Sequence, residues 1–411
     1  MKRVTPALVF VLIALGLAVW FLVHSITQLS PEKFPAYPPA PGAATTLTTT
    51  TAPVASTAPH VYQYPPGLAR IPIEDVTVLK GHTDGVLALA FSPDNKILAS
   101  GSADQTIILW DTAKAEKIAA LEGSSSAILS LAFSPDGNWL LAGARDCSLV
   151  IWNVKTHAID STCIQRCPVY HLAFLPDNRH FVSACGHVLR VGERGQTKPT
   201  AVCTADDEVD ALCVTSTGEV ITGDRSGTLI VWDPLAGKEL LRHSRPERDN
   251  NHNANSRNCV CELSQRKDGD VLVGDYACIW DWNRAKDTFS PISDIGAGHF
   301  AGLAFNEQSI FTWIGSSIGL GDLKPDGQSY IFNLFIRPIV FDHLGAAVVS
   351  PDQSLLAMGF AGAQDDQFNE KPHGPRNIHL CPVATVRKLV DTQKVVANKS
   401  VPFPPDTPQW K

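Results

Sequence analysis

Residues 81–111 read GHTDGVLALAFSPDNKILASGSADQTIILWD, and this stretch decides the fold. Residues 86–92 (VLALAFS) form an apolar run, Pro93-Asp94-Asn95-Lys96 a turn, residues 97–100 a second short run and residues 107–111 a third. Short aliphatic segments divided by Pro-Asp and Gly-rich turns are the signature of hairpins, not of helices. The pattern predicts three consecutive antiparallel strands.

The stretch is repeated. Residues 128–134 (ILSLAFS), the turn Pro135-Asp136-Gly137-Asn138, then residues 139–142 and 149–153 copy it. Phe91, Phe133 and Phe174 are 42 and 41 residues apart, and Trp110 and Trp152 are 42 apart. Trp152 to Trp232 is 80, two periods with the middle tryptophan lost. Trp232 to Trp280 is 48, the excess falling on a polar insertion at 248–258 (RDNNHNANSRN). A fixed period of this size means one supersecondary unit stacked many times.

Gly81-His82, Ser100, Asp104 and Trp110-Asp111 together resemble a tryptophan–aspartate (WD) repeat, the unit of a β-propeller. The second copy is similar in its Ser134-Pro135-Asp136-Gly137 turn, Asp146 and Trp152-Asn153, with Ser124 at the His position and Ala142 at the Ser position. Later copies degrade: Thr222, Thr228 and Trp232-Asp233 in the fourth, Gly274 and Trp280-Asp281 in the fifth, Gly321-Asp322 in the sixth. The third has Leu189-Arg190-Val191 where the tryptophan is expected, and the seventh runs from 348–358 (VVSPDQSLLAM) to Ile378-His379-Leu380-Cys381. Third strands near 107–111, 149–153, 188–192, 228–233, 277–282, 318–322 and 378–382 give seven units of roughly 46 residues.

The resemblance implies an all-β, seven-bladed β-propeller over residues 71–396, with 397–411 as a tail. Residues 73–79 would supply the outer strand of the last blade and so remove the exposed edges of a broken ring. It also implies a structural hydrogen-bond chain through His82, Ser100, Asp104 and Trp110. Partners of such propellers usually meet one rim, onto which the phase of the first unit maps Arg145, Tyr170, Glu208, Asp210 and Arg225. Arg and Tyr are over-represented at binding hot spots.

The chain has 411 residues, with 34 Lys+Arg against 41 Asp+Glu and a net charge of −7. That balance argues against nucleic acid, since phosphate binding needs a clustered basic face. Residues 4–23 (VTPALVFVLIALGLAVWFLV) follow Lys2 and Arg3 without a charge. Twenty residues make roughly 30 Å of helix, the thickness of the hydrocarbon core. A cleavable signal peptide would have a shorter apolar region of about 7–15 residues. The expectation is therefore a retained transmembrane anchor over 1–24, its N-terminus cytoplasmic by the positive-inside rule and the propeller on the exported side. Residues 25–70 carry nine prolines between Pro31 and Pro66 and the run 43–56 (AATTLTTTTAPVAS). Such a stretch buries too little to offset its chain entropy, so a disordered Pro/Ala/Thr-rich linker is expected.

Motifs for chemistry are sparse. Residues 315–319 (GSSIG) match G-x-S-x-G, but a nucleophile elbow needs a strand-to-helix turn, and here both flanks read as strands. Asp206, Asp207, Glu208 and Asp210 offer hard oxygens for Ca²⁺, yet no glycine lets a loop wrap an ion, so a solvated acidic rim is expected. No catalytic residue, metal site or cofactor is assigned. Of the ten cysteines, Cys147 with Cys163 and Cys185 with Cys203 would staple third–fourth strand hairpins in an oxidising compartment. The sequence thus points to a non-catalytic interaction platform for other proteins, tethered to the membrane. Its alternative is an exported propeller enzyme or small-ligand binder with a site in the central funnel.

Overall fold

Each repeat closes as a meander of antiparallel strands. The computed structural model describes residues 75–244, 259–275, 278–294, 302–305, 309–314, 317–322, 331–336, 344–360 and 377–388. The expected anchor (4–23), the linker (25–70), the insertion at 248–258 and the tail (397–411) lie outside them. No helix among the described residues is long and apolar enough to cross a membrane.

The described residues hold 28 strands in seven four-stranded sheets. Blade one is Val86–Phe91, Ile97–Ser102, Ile107–Asp111 and Glu116–Leu121. The first strand of every blade lies beside the first strand of the next, and that of blade seven (Leu344–Val349) lies beside that of blade one, so the series closes into a ring. Blade seven is completed by Thr77–Leu79, which pairs antiparallel with Ile378–Pro382 and sets Val78 opposite His379. The chain's early strand thus covers the edge of its last sheet. A short helical stretch at 383–388 follows.

Second strands are buried at nearly every residue, as in Ile97–Ser102 and Trp139–Ala144, whereas fourth strands such as Ile159–Ile164 are largely exposed. Neighbouring sheets cover both faces of an inner strand. An apolar run without alternation is therefore what the position requires. The core is a set of layers between blades: Trp152 and Leu140 of blade two pack with Leu109 and Ile107 of blade one, and Trp110 packs with Ala357 and Leu380 of blade seven. Each such side chain contributes about 1.5–3 kcal/mol on burial.

A small residue at one place in the second strand lets the next blade approach. A Cβ on Gly101, Gly143, Gly223 or Gly359 would strike Ile128, Val169, Val260 or Val86, respectively, from the following blade; Ile128, Val260 and Val86 open its first strand and Val169 lies just before it.

Register corrects the reading of two blade endings. Trp110, Trp152 and Trp232 stand opposite Leu98, Leu140 and Val220. In blade five the residue opposite Val271 is Trp282, not Trp280, so the ending is Trp282-Asn283. Residues two apart in a strand share a face, and spacing alone does not choose between them. In blade three the place belongs to Gly192, opposite Phe181, one residue beyond Leu189-Arg190-Val191. In blade six it belongs to Gly321, opposite Ile310. Ile314 stands opposite Ser317 there, so residues 317–319 of the GSSIG motif lie in a strand, Ser317–Asp322, paired antiparallel with Ser309–Ile314.

Candidate functional site: the blade-one network and the rim

The second strand of blade one brings Ser100 under the ring of Trp110, and the loop before the blade drops His82 beside it. The Trp110 indole donates to Ser100 Oγ at 2.8 Å, and His82 Nε2 lies 2.8 Å from the same oxygen. His82 Nδ1 is 3.0 Å from Asp104 Oδ2. The Thr83 N–H donates to Asp104 Oδ2, and the Thr106 N–H and hydroxyl to Oδ1. Burial pushes the Asp104 carboxyl up, but these donors and the facing His82 outweigh it and bring it down to about 2. Burial lowers the His82 imidazole, against the pull of Asp104. Trp110 and Ser100 are buried, and the indole, hydroxyl, imidazole and carboxylate of this network are bonded to one another or to Thr83 and Thr106. The arrangement holds a loop to a sheet.

Other blades keep fragments of this network. Trp232 donates to Thr222 Oγ1 at 2.9 Å. Val273 takes the Ser100 place in blade five, opposite Trp280, so the Trp282 indole turns to Asp287 Oδ1 at 3.2 Å and its ring stacks on Phe289.

On the rim that carries the turns between second and third strands, Arg225 joins both acids of blade four that the sequence places there. It meets Asp210 at 3.1 Å through Nε and Glu208 through its terminal nitrogen, and the Arg225 N–H donates to the Glu208 carbonyl. Arg145 holds the corresponding turn in blade two, its N–H donating to Ala127. Tyr170 is 55% exposed just before the first strand of blade three, His171–Phe174. Neither Arg145 nor Tyr170 is joined to the Arg225 cluster. Asp206 instead pairs with Arg242, and no group of three or more possible metal-ligating side chains is found among the described residues.

The cysteine pairings need correction. The disulfide joins Cys167 to Cys185, Cα to Cα 5.6 Å, while Cys147, Cys163 and Cys203 are free thiols. Cys185 ends the second strand of blade three (His180–Cys185), not the third, so Val188–Glu193 separates it from Cys203. Two strand spacings, about 9.5 Å, exceed a disulfide's reach. In blade two, Cys163 stands opposite Leu149, and the Cys147 carbonyl accepts from Gln165, so the two cysteines are diagonal and not paired. The repeat does hold a signal for the observed bond. In blade one the Ser102 hydroxyl donates to the Asp84 carbonyl at 3.0 Å, and the same two places in blade three are Cys185 and Cys167.

The innermost strands carry two titratable groups at equivalent places, His171 in blade three and Glu262 in blade five, with Ala211 of blade four between them. Burial lowers the His171 imidazole, opposed by Asp210. Desolvation pushes the Glu262 carboxyl up to about 8, offset in part by the Leu263 N–H. Between the ordinary carboxylate range and about pH 8 this carboxyl is therefore protonated in the folded chain and ionised in the unfolded one. The Glu262 contribution to stability should fall across that window as pH rises, by up to about 1.4 kcal/mol per unit, while the lowered imidazoles of His82, His171 and His379 act in the opposite sense. In urea denaturation from pH 5 to 8, the stability of the native chain relative to Glu262→Gln should therefore decline as pH rises, since the imidazoles are common to both. An unchanged slope in the variant refutes the assignment.

The family model described as WD domain, G-beta repeat matches residues 73–111 and 115–153. Protein Mut11 of Chlamydomonas reinhardtii is 55% identical over 40 residues, 10% of this chain and 11% of that protein. Protein pleiotropic regulator PRL2 of Arabidopsis thaliana is 37% identical over 84 residues, 20% of this chain and 17% of that protein. The matches thus span less than a fifth of either relative. Among solved structures, the RRP9 WD40 repeats superpose with a TM-score of 0.63 at 19% identity, covering 77% of this chain and 99% of that one. U3-55K superposes at 0.62 and 19% identity, covering 75% and 99%. At that identity the likeness is one of fold. Blades one and two of this ring are therefore WD40 repeats, and the fold is that of WD-repeat propellers.

Proposed function

We propose that this chain is a non-catalytic platform that docks other proteins on one rim of its propeller. On this reading residues 4–23 hold it in a membrane as a single-pass anchor, residues 25–70 act as the tether, and the propeller faces the exported side. The observation that carries the docking role is the rim itself. Arg225, whose backbone N–H donates to the Glu208 carbonyl, sits against Glu208 and against Asp210 at the start of the first strand of blade four, and exposed Tyr170 stands on the preceding blade. Ion pairs this exposed add little to stability, whereas their fixed orientation suits the selection and steering of a partner. The Cys167–Cys185 bond supports the exported side, because disulfides persist in oxidising compartments.

The test places a photo-crosslinking residue at Tyr170 in the full-length chain within intact membranes. A discrete protein adduct is expected, lost with Arg145→Glu and Arg225→Glu and absent when the probe sits at Lys96, in the turn at the opposite end of blade one. Equal labelling from both ends, or no adduct from Tyr170, defeats the platform. Protease added outside sealed membranes should reach the propeller but not Lys2, and the reverse result defeats the orientation.

A further inference from the structure

Blade three breaks the repeat at its tryptophan, and the space is not refilled. In blades one, two and four a Trp on the third strand faces a Leu or Val on the second, and the indole packs against the preceding blade. In blade three the large residue has moved to the second strand: Phe181 stands opposite Gly192, and a Cβ on Gly192 would strike the Phe181 ring. Phe181 packs with Leu141 and Ile151 of blade two. The remainder of the indole's place is a cavity of about 480 Å³ between the fourth strand of blade two and blade three. That volume is in the range of small-molecule sites.

Polar groups around the place of the missing indole are left without partners. Gln165 Oε1, Ser183 Oγ and Arg190 Nη1 line this cavity as buried atoms with no hydrogen bond. Ser183 is fully buried and holds the place of Ser100, opposite Arg190 as Ser100 is opposite Ile108. Gln165 lies four residues before Val169, as His82 lies four before Val86. In blade one the Ser100 oxygen is met by Trp110 and His82. In blade three nothing meets Ser183.

The charge of the cavity has one sign. Arg166, Arg190 and Lys198 line it, and no Asp or Glu does. Burial and the Arg166 charge both lower Arg190, so the guanidinium is short of an anion. Glu193, the acid closest in sequence, is held by Arg179. At the mouth, Ile164 and Val202 are 72% and 51% exposed. The Cys167–Cys185 bond ties down the segment that carries Gln165 and Arg166. Buried polar groups are almost always partnered, and a basic, apolar-walled cavity with unmet donors is a site for a charged small molecule.

We propose that this interblade cavity binds a small organic anion, a carboxylate or phosphomonoester on a ring-sized apolar body. The acid accepts from Arg190 and Ser183, and the body takes the place of the absent indole.

Calorimetric titration of the full-length protein with benzoate, phenyl phosphate, benzyl alcohol and inorganic phosphate tests it. At least one of the two ring-bearing anions is expected to bind at one per chain, at least tenfold more tightly than benzyl alcohol or inorganic phosphate. Benzoate alone would mark a carboxylate site, and phenyl phosphate alone a phosphomonoester site. Arg190→Met should weaken binding at least tenfold. Phe181→Leu with Gly192→Trp restores the arrangement of blades one and two, and should abolish binding with the Tm held or raised. If that pair fails to fold, Ser183→Ala on its own serves as the second variant and should also weaken binding. No binding by either anion overturns the proposal, as does binding that survives Arg190→Met unchanged.

Discussion

Replacing Trp110 by alanine should cost about 3–5 kcal/mol, the range for emptying a buried aromatic site. The side chain is 2% exposed and lies at the seam between blade one and blade seven, so the loss acts on ring closure and not on one sheet alone. Trp110→Phe keeps most of the volume and removes only the indole donor to Ser100. It should cost about 1–2 kcal/mol, because the Ser100 hydroxyl retains His82 and can still donate to the Ile108 carbonyl. Urea denaturation of the two variants separates packing from hydrogen bonding. Equal losses would mean that the hydrogen bond, not the packing, dominates, contrary to the buried volume. Ser100→Ala combined with Trp110→Phe should be less damaging than the sum of the single changes, since the two groups act on one bond.

The second large effect is expected at Gly359. A Cβ there would lie 2.5 Å from Val86 Cγ1 and 2.9 Å from Val86 Cβ, closer than packed carbons tolerate. The backbone there is ordinary, so space is the constraint and conformation is not. Gly359→Ala should cost about 1–3 kcal/mol by overpacking, and Gly359→Val more, since its branched Cβ meets another branched Cβ. This seam joins the last blade to the first, where side-chain packing, the pairing of Thr77–Leu79 with Ile378–Pro382 and the Asp352 N–H donating to Asn95 Oδ1 at 3.2 Å hold the ring shut. Hydrogen exchange should therefore accelerate in those two strands before it does in blades three and four. Gly101→Ala makes the same clash with Ile128 at the blade one–two seam and should leave the closing strands protected. If Gly359→Ala leaves both stability and exchange unchanged, ring closure does not depend on this approach.

Much of the architecture was legible because it is periodic. Third strands read near 107–111, 228–233 and 378–382 lie at Ile107–Asp111, Thr228–Asp233 and Ile378–Pro382. Arg225 is far in sequence from Glu208 and Asp210, which the phase of the first unit maps onto the same rim, and the structure pairs it with both. What phase did not resolve were places where two residues compete for one position. Trp280 and Trp282 share a strand face, and only pairing with Val271 selects Trp282. Cys185 was assigned one strand too far along, and that error removed Cys167 from view.

The repeating unit, the all-β class, the closing strand and the tryptophan endings of blades one, two and four follow from the sequence, because backbone alternation and turn chemistry are local properties that each copy states again. Only the tertiary structure decided which cysteines meet, which tryptophan fills blade five, and that blade three holds a cavity where its neighbours hold an indole. Those outcomes depend on volume and register between sheets. A side chain's place there is set by residues from another blade, dozens of positions away, and no local pattern carries that information.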